Sequence, residues 1–76
     1  MIDPGAVKII DGMISAHLNI AIAYESNARR LKELVKETKN IFDVGHLHLM
    51  LEESVREGER NRHEAAKLYA MKLKLS

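Results

Sequence analysis

A repeat of mostly apolar residues between Ile10 and Phe42 constrains the fold more than any other feature of the sequence. In alternating steps of four and three, it reads Ile10, Ile14, His17, Ala21, Tyr24, Ala28, Leu31, Val35, Thr38 and Phe42. This spacing keeps one face of an α-helix turned toward a neighbouring helix. The repeat therefore predicts a long helix that packs along its length against a second helix, as in a coiled coil.

Capping residues and helix breakers set the predicted ends of the first helix. Asp3 can accept hydrogen bonds from the free N–H groups of a helix start, and Pro4 suits the first helical position. No strong helix breaker follows until Asn40, and Gly12 is only a weak point. We expect helix 1 to run from about residue 4 to about residue 39.

The segment 40–45 is the predicted turn, and it leads into helix 2, expected from about residue 44 to about residue 73. Asn40 suits a left-handed position at the end of helix 1, and Asp43 suits the N-cap of helix 2. A connection this short places consecutive helices antiparallel. The predicted fold class is all-α, a single domain of 76 residues that forms an antiparallel two-helix hairpin.

The repeat also predicts how the two helices pair. The seam of helix 2 reads Leu47, Leu51, Ser54, Gly58, Asn61, Ala65, Leu68, Lys72 and Leu75, and it is polar in the middle. Folding back about the turn pairs residues whose numbers sum to roughly 85. The predicted pairs include Ala21 with Ala65, Ala28 with Gly58 and His17 with Leu68, while Ile41 and Phe42 cover the end of the hairpin.

The open end of the hairpin, opposite the turn, carries more apolar surface than one neighbouring helix can cover. Apolar residues flank the seam on both sides there, and two helices alone rarely bury enough surface to be stable. We expect a homodimer that forms a four-helix bundle, or a heterologous protein partner on the same surface. The expected interface residues are Met13, Ile14, His17, Leu18, Ile20, Ile22, Leu68, Tyr69, Met71 and Leu73.

Composition restricts the class of protein further. The chain has no cysteine, so disulfides and thiolate zinc sites are excluded. Twelve Lys and Arg against eleven Asp and Glu give a net charge of +1, far from the basic balance of typical nucleic-acid-binding proteins. We see neither a signal peptide nor an apolar run of the roughly 20 residues that a transmembrane helix needs. A cytoplasmic protein without a membrane partner is the expectation.

No arrangement of residues predicts a catalytic centre, so we expect neither enzymatic activity nor a cofactor. We also expect no metal site, because Glu59 and His63 have the spacing of an ordinary ion pair on a helix surface. His17 differs, since it occupies a seam position. Its ring either bonds to a neighbour or water, or makes the interface sensitive to pH because charging a buried imidazole is unfavourable.

Two basic stripes supply an alternative function. They comprise Arg29, Lys32, Lys36 and Lys39 on helix 1, and Arg56, Arg60, His63 and Lys67 on helix 2. Doubled in a dimer, they would form a phosphate-binding face, so the alternative is an RNA- or DNA-binding four-helix dimer. Glutamates are interleaved with both stripes, which is typical of a solvated helix face. The first hypothesis is therefore a small protein–protein interaction module: a homodimeric adaptor, regulatory or assembly subunit.

Overall fold

The protein is a hairpin of two long α-helices. The structure, a computed structural model, describes residues 3–75. Helix α1 spans Pro4–Glu37 and helix α2 spans Ile41–Leu75, and the two pack against each other along their length. The predicted all-α helical hairpin is confirmed.

The start of α1 follows from its capping residues. The Asp3 carboxylate accepts a hydrogen bond from the Gly5 N–H at 2.9 Å, and Pro4 occupies the first helical position. The cap satisfies one of the N–H groups that a helix start leaves without a partner, and proline has no N–H to satisfy there. The N-cap predicted from the sequence is therefore the one that forms.

The turn is shorter and lies earlier in the chain than the segment 40–45 expected from the sequence. Helix α1 ends at Glu37, and Thr38 adopts an extended conformation while its N–H bonds to the Leu34 carbonyl at 2.9 Å. The Asn40 side chain accepts a hydrogen bond from the Phe42 N–H at 2.9 Å and so caps α2. Within residues 3–75 no residue other than glycine has a positive φ, so the left-handed Asn40 was a wrong prediction.

The early start of α2 changes what the residues after the turn do. Asp43, expected as the N-cap, lies in the first turn of α2, where its negative charge suits the helix dipole. Ile41 is 79% exposed and Phe42 is 84% exposed, so they do not cover the end of the hairpin as predicted. Once Asn40 is the cap, both side chains fall on the first turn of α2 and face solvent.

The buried seam contains the residues that the repeat predicts. The buried members are Ile10, Ala21, Ala28 and Leu31 of α1, and Ser54, Gly58, Asn61 and Ala65 of α2. Most of them are small, which lets the two backbones come close together.

The pairing of the two helices is displaced from the predicted one. Gly58 lies closest to Ala21, Tyr24 and Glu25, about one helical turn from its expected neighbour Ala28. For each contact between the helices, the residue number in α1 can be added to the residue number in α2. These sums lie between 78 and 87 with a mean near 82, whereas the sequence predicted about 85. The earlier turn explains the difference, because moving the turn toward the N-terminus lowers this sum.

The hairpin is a thin rod with little interior. Its Cα trace measures 60 × 13 × 12 Å, and its radius of gyration is 17.2 Å, against about 11 Å for a compact domain of this length. The exposed surface is 5974 Å², whereas a compact monomer of 8.6 kDa exposes about 4,700 Å². The excess of about 1,300 Å² is the surface that two helices cannot cover for each other.

Helix α1 is long and apolar enough to cross a membrane by length and composition alone. An 18-residue window in it has a mean hydropathy of 1.4, and only 11% of that window is buried. The expectation that the chain has no sufficiently apolar run was therefore wrong. Core helices of soluble proteins and signal sequences near an N-terminus have the same property.

Replacing Gly58 by alanine should stabilise the hairpin by about 0.5–1 kcal/mol, because helical glycine is unfavourable relative to alanine. A Cβ at this position would meet Glu25, Ala21 and Tyr24 at 3.6–3.7 Å, which is ordinary van der Waals contact. Urea unfolding at a fixed protein concentration measures the change. Gly12→Ala, whose Cβ would have nothing within 4 Å, is the matched control for propensity alone. A destabilised Gly58→Ala beside a stabilised Gly12→Ala would contradict the packing described.

Candidate interaction surface

The hairpin has two open sides, and one of them is grooved. We call this side face A, defined by Leu18, Ile22 and Arg29 of α1 with Arg62 and Tyr69 of α2. Near the open end a shallow groove of about 280 Å³ runs between the helices, and it is lined by Ile14, Leu18, Arg62, Ala65, Ala66 and Tyr69. This part of face A is mainly apolar.

Face A becomes charged toward the turn. Two further shallow grooves there are lined mainly by Glu25, Arg29, Lys32, Glu52, Arg56 and Glu59, with Val55 at the centre. Acidic and basic side chains alternate along them. The apolar and the charged halves of face A therefore offer different chemistry at the two ends of the rod.

Among residues 3–75, two ion pairs join the helices across the seam. The Arg62 guanidinium donates to both carboxylate oxygens of Glu25, with Nη2 at 2.7 Å from Oε1, and Lys72 Nζ lies 2.7 Å from an Asp11 oxygen. The hydrogen bond from Arg62 and the positive charge of Arg62 lower the pKa of Glu25. The same hydrogen bond and the negative charge of Glu25 raise the pKa of Arg62. Both pairs are exposed to solvent, so they align the helices more than they stabilise them.

The opposite side, face B, combines an apolar α1 with a charged α2. At 100° per residue, face B carries the residue that precedes each seam position. On α1 six of these are apolar, namely Ile9, Met13, Ala16, Ile20, Ala23 and Leu34. On α2 they are mostly charged, namely Glu53, Glu57, Arg60, Glu64 and Lys67, with Met50 and Met71 toward the ends.

The charges of α2 on face B form neighbouring ion pairs within the helix. Arg60 donates to a Glu57 oxygen through Nε at 3.1 Å and Nη2 at 2.6 Å, and Lys67 Nζ lies 3.3 Å from a Glu64 oxygen. Each pair is one turn apart, so the sequence of charges along this edge is acidic, basic, acidic, basic. Exposed pairs at this spacing can exchange partners at small cost.

A part-buried polar pair lies in the seam itself. His17 Nδ1 is 2.9 Å from Asn61 Oδ1, and Asn61 Nδ2 donates to the Glu57 carbonyl at 2.9 Å. Because an amide oxygen only accepts, the proton of this bond belongs to His17 Nδ1. Asn61 is 5% exposed, so both ends of its amide need these partners. The seam position of His17 is confirmed, but its partner is Asn61 and not Leu68.

The structure divides the predicted interface residues between the two faces. Leu18, Ile22, Tyr69 and Leu73 lie on face A, Met13, Ile20 and Met71 lie on face B, and the seam residues Ile14 and Leu68 are half-buried. His17 faces the other helix. The sequence pattern missed three exposed apolar residues near the turn, Ile41, Phe42 and Leu49, because the predicted turn had placed two of them inside.

The predicted nucleic-acid residues do not merge into one basic surface. Arg29, Lys32 and Arg56 share their grooves with Glu25, Glu52 and Glu59, while Arg60 and Lys67 pair with glutamates of their own helix. Lys36 and Lys39 are exposed near the turn. Nucleic-acid binding stays a prediction.

Metal binding has no geometric support in the described chain. Among residues 3–75, no group of three or more His, Asp or Glu side chains lies close enough together to hold a metal ion.

Comparison with known proteins adds no assignment: no family profile, curated protein or solved structure matches this sequence significantly.

Replacing either member of the His17–Asn61 pair by leucine should destabilise the hairpin by about 1–3 kcal/mol, because the partner is left unpaired in the seam. The double variant His17→Leu/Asn61→Leu should recover most of that loss, since apolar groups replace both partners. Unfolding free energies of the four proteins at equal concentration give the coupling. Strictly additive losses would show that the pair is not a unit.

The Glu25–Arg62 pair should make stability depend on pH in the acid range. The pKa of Glu25 is lowered from 4.5 in the folded state, so its stabilising contribution is present above the ordinary carboxyl pKa. That contribution is lost as pH falls through the lowered pKa. The wild type should therefore exceed Glu25→Gln in unfolding free energy at pH 7, and the difference should vanish in acid.

Arg62→Gln is the matched variant for this test, because it removes the cause of the pKa shift and leaves the carboxyl group. It should abolish the same acid-dependent contribution. If Arg62→Gln keeps the wild-type pH dependence, the pair does not form in solution.

Proposed function

We propose that this chain is a small protein–protein interaction module that works as a homodimer, in which two hairpins form a four-helix bundle. The observation that carries the proposal is the excess of about 1,300 Å² of exposed surface over a compact monomer of the same mass. Stable interfaces bury about 800 Å² per partner, and obligate dimers bury more. The excess exposed surface area of this rod is therefore comparable to the area that a second copy would cover.

The chemistry of that surface also supports the proposal. Only 11% of the most apolar window of α1 is buried within the hairpin, and Met13, Ile20 and Ile22 are all exposed on its two flanks. Large exposed apolar patches mark binding surfaces in soluble proteins. Near the open end, α1 is apolar on both flanks of the seam, and the hairpin covers only the seam.

We propose an adaptor, regulatory or assembly role without catalysis. A catalytic centre needs a nucleophile with a base, paired carboxylates in a cleft, or a metal. The apolar groove on face A offers shape and apolar contact, which suit the binding of another helix. A heterologous protein partner on this surface is the other form that the same function can take.

The mass of the protein in solution tests the dimer. Sedimentation equilibrium at micromolar concentration should give twice 8.6 kDa, about 17 kDa. The melting temperature should also rise with protein concentration, because association stabilises only the folded chain. A mass of 8.6 kDa with a melting temperature independent of concentration would overturn the homodimer and leave a heterologous partner as the occupant.

A further inference from the structure

We infer that the second copy docks on face B in the antiparallel orientation, with Ile20 of both copies meeting at the two-fold axis. This inference rests on the homodimer proposed above and specifies its face, direction and register. In the resulting four-helix bundle, α1 lies over α1 of the second copy, and α2 lies over α2.

The choice of face follows from the residues that flank the seam of α1. On face B six of eight flanking positions are apolar, and Asn27 and Arg30 are the exceptions. On face A six of eight are polar, and Leu18 and Ile22 are the exceptions. Face B therefore carries a second apolar seam on α1 that extends from Ile9 to Leu34 and is interrupted at Asn27 and Arg30, whereas face A is apolar only near the open end. A helix that docks along most of its length requires the longer of the two seams.

The choice of direction follows from the charges of α2. Two stacked hairpins can be related by a two-fold axis along the rod or across it. An axis along the rod would place the apolar seam of α1 over the charged edge of α2, so Ile20 would meet Arg60 and Glu64. Burying charges against an apolar side chain is unfavourable. An axis across the rod instead places apolar α1 over apolar α1 and charged α2 over charged α2.

One axis position sets the register of both helix pairs. With Ile20 at the axis, α1 pairs residues whose numbers sum to 40, so the two Ile20 side chains meet and Met13 of each copy faces Asn27 of the second copy. Within the hairpin, paired numbers sum to about 82, so Ile20 is level with Arg62 of α2. The same axis therefore pairs α2 residues whose numbers sum to about 124.

At this register the charges of the two copies are complementary. Glu57 of one copy faces Lys67 of the second copy, and Arg60 faces Glu64 of the second copy. The alternation of acidic and basic residues along α2 is what makes this possible, because an antiparallel copy presents the opposite sign at each position. Flanking charges of this kind set the direction and register of helix pairs.

Spin labels test the direction of the dimer. The chain has no cysteine, so Gly45→Cys gives a single labelling site, and a Cβ there meets nothing within 4 Å. Gly45 is level with Glu37, which is 17 residues from Ile20, so two labels should lie about 50 Å apart at 1.5 Å per residue.

The three outcomes of this measurement separate the two proposals. A distance near 50 Å supports the antiparallel dimer. A distance below about 30 Å means that the turns lie together, which overturns the direction but keeps the homodimer. The absence of any dipolar coupling between labels in a protein of single-chain mass overturns the homodimer itself.

Matched variants test the face. Ile20→Asp and Ile22→Asp make the same change two residues apart on α1, on face B and face A respectively. Ile20→Asp should weaken dimerisation at least about 100-fold because it buries two carboxylates at the axis, and Ile22→Asp should leave the mass at that of a dimer. Dissociation by Ile22→Asp, or a dimer that survives Ile20→Asp, would overturn the assignment of face B.

A cysteine pair makes the test independent of folding defects in the aspartate variants. Ile20→Cys should form a disulfide-linked dimer under mild oxidation, because the two side chains meet at the axis within bonding distance. Ile22→Cys, on the other face, should remain uncrosslinked at the same protein concentration. The reverse result would show that the copies meet through face A.

Discussion

The close approach of two helices through small side chains is the constraint on which the rest of this structure depends. Within residues 3–75, three of the five buried apolar residues, Ala21, Ala28 and Ala65, are alanines, and Gly58 packs against Ala21 without a side chain. Small residues let the helices touch, but each one buries little apolar area. A seam of this kind holds two helices in one register and leaves most of the larger apolar residues on the outside, where they need another protein.

Three parallel rows of residues with the 4-3 spacing lie side by side along α1, and each row has its own composition. The seam residues pair with α2, the residues that precede them are mostly apolar and lie on face B, and the residues that follow them are mostly polar and lie on face A. In α2 only the seam row is suited to burial, and its middle is polar, with Ser54 and Asn61 buried. The His17–Asn61 pair therefore holds the register, because a slip by one turn would take His17 away from the Asn61 amide oxygen, while the Asn61 NH2 group keeps the Glu57 carbonyl of its own helix.

Much of this fold can be predicted from the sequence, because periodicity and capping act locally. The seam residues and the Asp3–Pro4 helix start follow from spacing and side-chain chemistry. The turn does not, because asparagine suits both the end of one helix and the start of the next, and only the hydrogen bonds of Asn40 decide. Because the turn was predicted too late in the chain, the predicted pairing of the helices was displaced, and Leu68 was predicted as the partner of His17. The assignment of the predicted interface residues to two different faces could likewise be made only from the observed contacts across the seam.

The elongated shape has a consequence for how this molecule moves through water. A rod whose Cα trace is 60 Å long and 13 Å wide experiences more friction than a sphere of equal mass. The chain therefore diffuses slowly for its size and elutes early in gel filtration, as a larger compact protein would. A side-by-side dimer of such rods doubles the mass while adding little to the length, so it is more compact relative to its mass. Friction and mass thus change by different proportions on association, and the frictional ratio falls when two hairpins combine.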